Sequence, residues 1–178
     1  MSLDQNVVQA SDEQSELTMT VLMTPDMANF SGNVHGGTIL KLLDQAAYAC
    51  ASRFSGSYVV TLSVDQVTFK EPIYVGELVT FMASVNHVGR TSMEVGIRVE
   101  AQNIRTRTQR HTNSCYFTMV AVDEHGKPQA VPKLKLDNDW KRCHFEAAEQ
   151  RKALRLQHQH KLSCAMYKNK SDESKNEP

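Results

Sequence analysis

Apolar and polar residues alternate from Leu17 to Met23 (L-T-M-T-V-L-M), the period of a half-buried strand. Thr24-Pro25-Asp26 ends that run, because proline removes a backbone donor and fixes φ. The pattern then breaks: Gly32, Gly36 and Gly37 fall close together, interleaved with Asn29, Ser31 and Asn33, and predict a loop. Thr38–Ala51 has neither Gly nor Pro and is rich in Leu and Ala. Ile39, Leu40, Leu42, Leu43, Ala46, Ala47, Tyr48, Ala49 and Cys50 cover nearly its whole circumference, which predicts a helix buried on all sides. It closes near Ser55-Gly56-Ser57, where glycine can take the positive φ of a C-cap. Val59–Phe69 is β-branched and predicts a long strand, with Val60, Leu62 and Val64 on one face and Thr61, Ser63 and Asp65 on the other. Leu78–His87, Ser92–Ala101 and His111–Val122 alternate as three further strands, the first two joined by a hairpin at Val88-Gly89-Arg90-Thr91.

One strand, one helix and four strands on short hairpins predict an α+β domain with a largely antiparallel sheet. That sheet needs cover on its apolar face, and the central helix is the element apolar enough to give it. A helix apolar all round exceeds what one small sheet can bury, so a second subunit is expected, at least in a dimer. Long edge strands favour pairing across the same two-fold axis.

Composition adds limits. The 178 residues are 40% hydrophobic and 22% charged, enough for one sizeable core. Twenty Lys plus Arg balance twenty Asp plus Glu, so there is no global pull toward nucleic acid or a membrane surface. The sequence has no apolar run of spanning length, and its first residues lack the pattern of a signal peptide. Cys50, Cys115, Cys143 and Cys164 show neither C-x-x-C pairing nor metal spacing; they read as reduced thiols, with no metal expected and a cytoplasmic location.

Asp44 is the odd residue of the apolar helix. Aspartate is a poor interior helix former and is rarely buried unpaired. One reading is a salt bridge to Lys41, one turn earlier. The other is a carboxylate held beside a Gly-Gly helix start, whose free N–H groups suit a developing anion. His35, in the loop itself, is a rival base, since histidine serves that role at neutral pH. Asn33 reads as a positive-φ loop residue, and Asn29 on its own reads equally well as an Asx-turn residue.

G-N-V-H-G-G-T-I-L-K-L-L-D-Q-A-A at the helix start, followed by V-D-Q-V-T-F-K-E-P-I-Y-V-G-E, V-G-R-T-S-M-E-V and F-T-M-V-A-V-D-E-H-G-K-P, resembles the hotdog-fold acyl-CoA thioesterases. The likeness is nearest to the YciA-type and brain-type acyl-CoA hydrolases and spans about Leu17–Pro132. It implies a five-stranded antiparallel sheet wrapped around one helix. It implies Asn29 and Asp44 as a catalytic pair from opposite subunits, and a dimer or a trimer of dimers, that is, a hexamer. Thioester hydrolysis fits these residue types: Asp44 as general base or direct nucleophile, Asn29 orienting water or carbonyl, and the N–H of Gly37 or Gly36 stabilising the oxyanion. His35 and Asn33 are then expected to shape or line the pocket. No cofactor is implied, because coenzyme A is part of the substrate. Lys70, Arg90 and Ser92, in shared motifs, are expected to meet the CoA phosphates. Arg105, Arg107 and Arg110 form a second basic group, read in preference as a solvated hairpin tip.

The expected organisation is a flexible leader over 1–16, the hotdog domain over 17–132, a basic amphipathic helical extension over 133–165, and a disordered tail over 166–178. From Asp139 to Leu162 six basic residues face three acidic ones. That helix is expected to dock on its own protein or a neighbouring subunit rather than on a membrane. Two other functions fit the fold: a non-catalytic acyl-CoA or nucleotide-binding regulator, against which the intact Asn29 and Asp44 weigh, and a hotdog dehydratase, which requires a different helix motif.

Overall fold

A computed structural model describes the backbone of residues 14–173 and the side chains of residues 14–158. Residues 1–13 of the expected leader lie outside the described residues. Its end is held in the fold: Ser15 is buried, and its carbonyl accepts from the Val85 N–H at 2.9 Å. The chain divides into two compact units, 1–135 and 136–178.

The first unit contains strands β1 (Glu16–Leu22), β2 (Tyr58–Val64), β3 (Leu78–Val88), β4 (Ser92–Gln102) and β5 (Gln109–Val122), with helix α1 (Gly36–Ser55) between β1 and β2. All pairings are antiparallel, in the order β1-β3-β4-β5-β2, and α1 packs against every strand. The predicted hotdog arrangement is present. The helix ends at Gly56 in the left-handed region (φ 65°), as expected of a glycine C-cap.

The core lies between one face of α1 and the inner face of the sheet. Ile39, Leu43, Ala46, Ala47, Cys50, Ala51 and Phe54 meet residues such as Phe81, Val95, Phe117 and Met119. The small side chains at 46, 47, 50 and 51 let the helix axis approach the sheet closely, and the Phe side chains fill the space to either side. The other face is not buried. Gly37, Leu40, Lys41, Asp44 and Tyr48, spaced by three and four, form an exposed stripe. Val60, Leu62 and Val64 also stand exposed, on β2, an edge strand of the sheet.

β2 stops five residues short of the predicted Phe69. Its pairing with β5 shifts at Thr61/Ser63. Beyond it Asp65 N–H donates to Tyr116 O and Lys70 N–H to Thr112 O, five residues on one side against four on the other. The stretch from 65 to 70 therefore bows out of the ladder despite its β-branched composition.

The second unit holds α2 (Asp139–Glu173), begun by Asn138, whose side-chain oxygen accepts from Lys141 N–H at 2.8 Å. The expected extension starts as irregular chain, with the helix proper beginning six residues later. The backbone is helical through Glu173, into the stretch expected to be disordered, because Asp139–Glu173 has no Gly or Pro to stop it. Residues 174–178 lie outside the described residues. Among the described residues no helix is long and apolar enough to cross a membrane.

Candidate active site

The loop before α1 is shaped by its own side chains. Asn29 Oδ1 accepts from the N–H groups of Ser31 (2.9 Å) and Asn33 (3.2 Å), and Gly32 supplies the positive φ of 78° that closes the turn. The local Asx-turn role of Asn29 is therefore real; it engages the amide oxygen and leaves the NH2 group as donor. Asn33 does not have positive φ. That conformation falls on Gly32, and Asn33 runs extended in a bridge with Tyr74.

His35 is the N-cap of α1. Its backbone is extended (φ −65°, ψ 130°), and its Nδ1 accepts from Gly37 N–H at 2.9 Å. An accepting Nδ1 leaves the proton on Nε2. The Gly37 N–H is thus already engaged, while the Gly36 N–H has no partner among the described residues. Space differs between the two glycines as well. A Cβ on Gly37 would lie 3.1 Å from His35 Nδ1, whereas one on Gly36 would meet only the edge of the Phe69 ring, at 3.8 Å.

Asp44 lies two turns along the exposed stripe. Its partner is not Lys41 but Thr61 on β2, whose Oγ1 donates to Asp44 Oδ1 at 2.6 Å. Thr61 was legible as a polar residue on one face of a strand, but nothing in the sequence tied it to an aspartate seventeen residues earlier. A cleft of about 590 Å³ opens one turn beyond Asp44, between Tyr48 and Ser52 of α1, Tyr58 of β2 and Asp123 after β5.

The expected phosphate contacts separate. Lys70 follows Phe69 at the glycine-loop end of the sheet, with its N–H on Thr112 O. Arg90 and Ser92 sit at the β3–β4 hairpin, where Ser92 registers with Val120 of β5. Those two levels are eight positions apart on β5, about 25 Å along the strand. Arg105 and Arg107 are in the β4–β5 turn, with Arg107 at φ 58°, but Arg110 is inside β5 and ion-paired with Glu77. The solvated-tip reading holds for the first two and fails for the third.

The two buried thiols offer no nucleophile. Burial pushes both Cys50 and Cys115 up to about 12, so they stay protonated at neutral pH. Among the described residues no three His, Cys, Asp or Glu side chains gather in a way that could hold a metal ion.

The chain is similar to known proteins in sequence and in fold. Residues 31–108 match the family described as Thioesterase superfamily. Protein VdlD of Helicobacter pylori is 51% identical over 143 residues, covering 80% of this chain and 82% of the relative. The crystal structure of an apo hexameric acyl-CoA thioesterase superposes with a TM-score of 0.81 at 37% identity, covering 85% of this chain and 97% of that one. An acyl-CoA hydrolase from Staphylococcus aureus, solved with butyryl coenzyme A, coenzyme A and coenzyme A disulfide, gives a TM-score of 0.75 at 28% identity over 86% and 96%. That hydrolase has also been solved with an asparagine, an aspartate or a threonine changed to alanine. Those three positions are separated along its chain by fifteen and seventeen residues, the separations of Asn29, Asp44 and Thr61 here.

Proposed function

This chain belongs to the hotdog-fold acyl-CoA thioesterases of the thioesterase superfamily, and from that membership we propose that it hydrolyses acyl-CoA thioesters to free CoA and a carboxylic acid. The observation that carries the reading is the Asp44–Thr61 contact at 2.6 Å on an exposed helix face, two turns from the Gly36 N–H, which has no partner among the described residues. Thr61 fixes one carboxylate oxygen and leaves the other for chemistry. As general base, Asp44 Oδ2 takes a proton from water while the oxygen of that water attacks the thioester carbon. The oxyanion so formed is met by the Gly36 N–H, and by that of Gly37 when the His35 ring releases it. Collapse expels the CoA thiolate, which recovers the proton from Asp44. Direct attack by Oδ2, giving an anhydride that water then opens, uses the same groups.

Asn29 completes the site from a second copy of the chain. The exposed apolar residues on the helix face of Asp44, Leu40 and Tyr48, support that arrangement, and Val60, Leu62 and Val64 stand exposed on the edge strand that carries Thr61. The proposed assembly is a homodimer at least, and the hexameric relative supports a trimer of dimers. The proposed partners are the acyl-CoA substrate and further copies of this chain, without nucleic acid or membrane and without a separate cofactor. Free, buried Cys50 and Cys115 support a reducing, cytoplasmic location.

The direct test is release of CoA thiol from acyl-CoAs of increasing chain length, with oligomer size measured on the same sample. Turnover of at least one acyl-CoA is expected; tight binding of all without turnover would replace the enzyme by an acyl-CoA-binding regulator. Gly36→Ala separates site from scaffold. The added methyl meets only ordinary contact with Phe69 and suits a helix, so thermal stability is expected to hold or rise slightly. The same methyl stands where the thioester carbonyl must approach, and kcat/KM is expected to fall at least about tenfold. Unchanged activity would remove Gly36 from the oxyanion site.

A further inference from the structure

Arg110 is a strand residue with an unusual set of partners. Its Nη1 and Nη2 donate to Glu77 Oε1 and Oε2, both at 2.7 Å, and Nη2 also donates to Pro72 O at 2.6 Å. Its guanidinium carbon lies 5.3 Å from the centre of the Tyr74 ring. The Glu77 side chain is 4% exposed, and its Oε2 also accepts from Tyr74 N–H. A paired, bidentate, nearly buried ion pair of this kind fixes geometry more than it adds stability. What it fixes is the segment Pro72–Glu77, gripped at both ends by one guanidinium.

That segment carries the glycine loop. Ile73 O accepts from Val34 N–H at 2.8 Å, and Tyr74 bridges to Asn33. Asn33 N–H in turn holds the Asn29 side chain, and the residue after Val34 is His35, the cap on Gly37. Asp44 and Thr61 stand apart from this chain of contacts, on the helix and on β2.

We propose that the Arg110–Glu77 pair is a positioning device for the reaction: through Ile73 and Tyr74 it sets the Asn29 amide and the Gly36–Gly37 N–H groups, and it leaves the Asp44–Thr61 pair unaffected. The kinetic part rests on the hydrolase reading; the structural part does not.

Arg110→Lys keeps the charge and loses the two-pronged grip. Its kcat is expected to fall about tenfold with KM within about twofold, measured well below its unfolding temperature. Glu77→Gln, which keeps shape and one acceptor, is expected to do the same, and wild-type kcat in both folded variants overturns the proposal. A purely structural contribution would also lower activity without choosing a partner, so the deciding measurement is a pair of double-mutant cycles. In the Arg110→Lys background Asn29→Ala is expected to lower kcat by a factor at least about threefold smaller than in wild type, while Thr61→Ala lowers it by the same factor in both. Equal factors for Asn29→Ala in the two backgrounds overturn the proposal. If the wild type hydrolyses no acyl-CoA, the hydrolase reading falls and amide exchange decides. The Val34 N–H should then exchange about tenfold faster in Arg110→Lys while the Ile97 N–H in β4 is unchanged, and equal exchange at Val34 in both proteins overturns it.

Discussion

Asp44→Ala is expected to lower kcat for acyl-CoA hydrolysis by about a thousandfold, the middle of the range for a lost general base. The side chain is exposed on α1 and hydrogen-bonded to Thr61, so its removal leaves the core untouched. Alanine is also the better helix former, and thermal stability should hold. Asp44→Asn sharpens the result. Its amide oxygen can still accept from Thr61, so the geometry survives while the base and the nucleophile are both lost. The same large fall is expected in both variants, measured as thiol release, with substrate binding by calorimetry within a few-fold of wild type. Turnover that survives Asp44→Ala would move the base to His35, whose Nδ1 lone pair would first have to release the Gly37 N–H.

The sequence disclosed elements through periodicity and missed contacts that depend on tertiary approach. Alternation located all five strands, and the Gly-free apolar run located α1 with its glycine cap. Burial on every side of α1 was half right, since the sheet takes only the face carrying Ile39, Leu43 and Ala47. The stripe with Leu40, Asp44 and Tyr48 is left open on a single chain. Propensity extends β2 too far because it cannot register a partner: the mismatch of residues 65–70 against β5 is a property of the pair, not of either strand. In the site, the glycine loop and Asp44 stood out as composition anomalies. Thr61 did not, since the predicted strands also offer Thr18, Thr20, Thr68, Thr80, Thr112 and Thr118, and only the fold picks the one that reaches Asp44.

Arg110 shows the same limit from the other direction. In sequence it groups with Arg105 and Arg107, and charge clustering favours solvent for all three. The fold divides them by placing the start of β5 at Gln109 and bringing up Glu77, thirty-three residues away. Burial alone would raise the Glu77 carboxyl, but the Arg110 hydrogen bond, the Tyr74 N–H and the Arg110 charge together hold it below its ordinary value. His35 is a similar case. Histidine beside two glycines suggests a base, yet its ring nitrogen ends the helix instead, a role fixed by one side-chain torsion that no local pattern encodes.

Mixing two dead variants is expected to restore activity. If Asn29 of one copy works with Asp44 of another, a dimer of one Asn29→Ala chain and one Asp44→Ala chain has one site with both defects and one site with neither. Random reassortment makes half of all dimers mixed, each with one working site of two, so about a quarter of wild-type activity should return from two preparations that each retain about a hundredth or less. Each variant must first be unfolded or dissociated and reassembled, alone and together, with thiol release measured on all three samples. The outcome separates the two ways the site can be built. Were Asn29 and Asp44 of the same chain partners, every site in every mixed dimer would carry one defect, and the mixture would stay as inactive as its parts. Leu40 and Tyr48 leave exposed apolar surface on the same helix face as Asp44, so closing the dimer and completing the site are expected to be one event. Dilution should then lower specific activity in step with loss of the dimer.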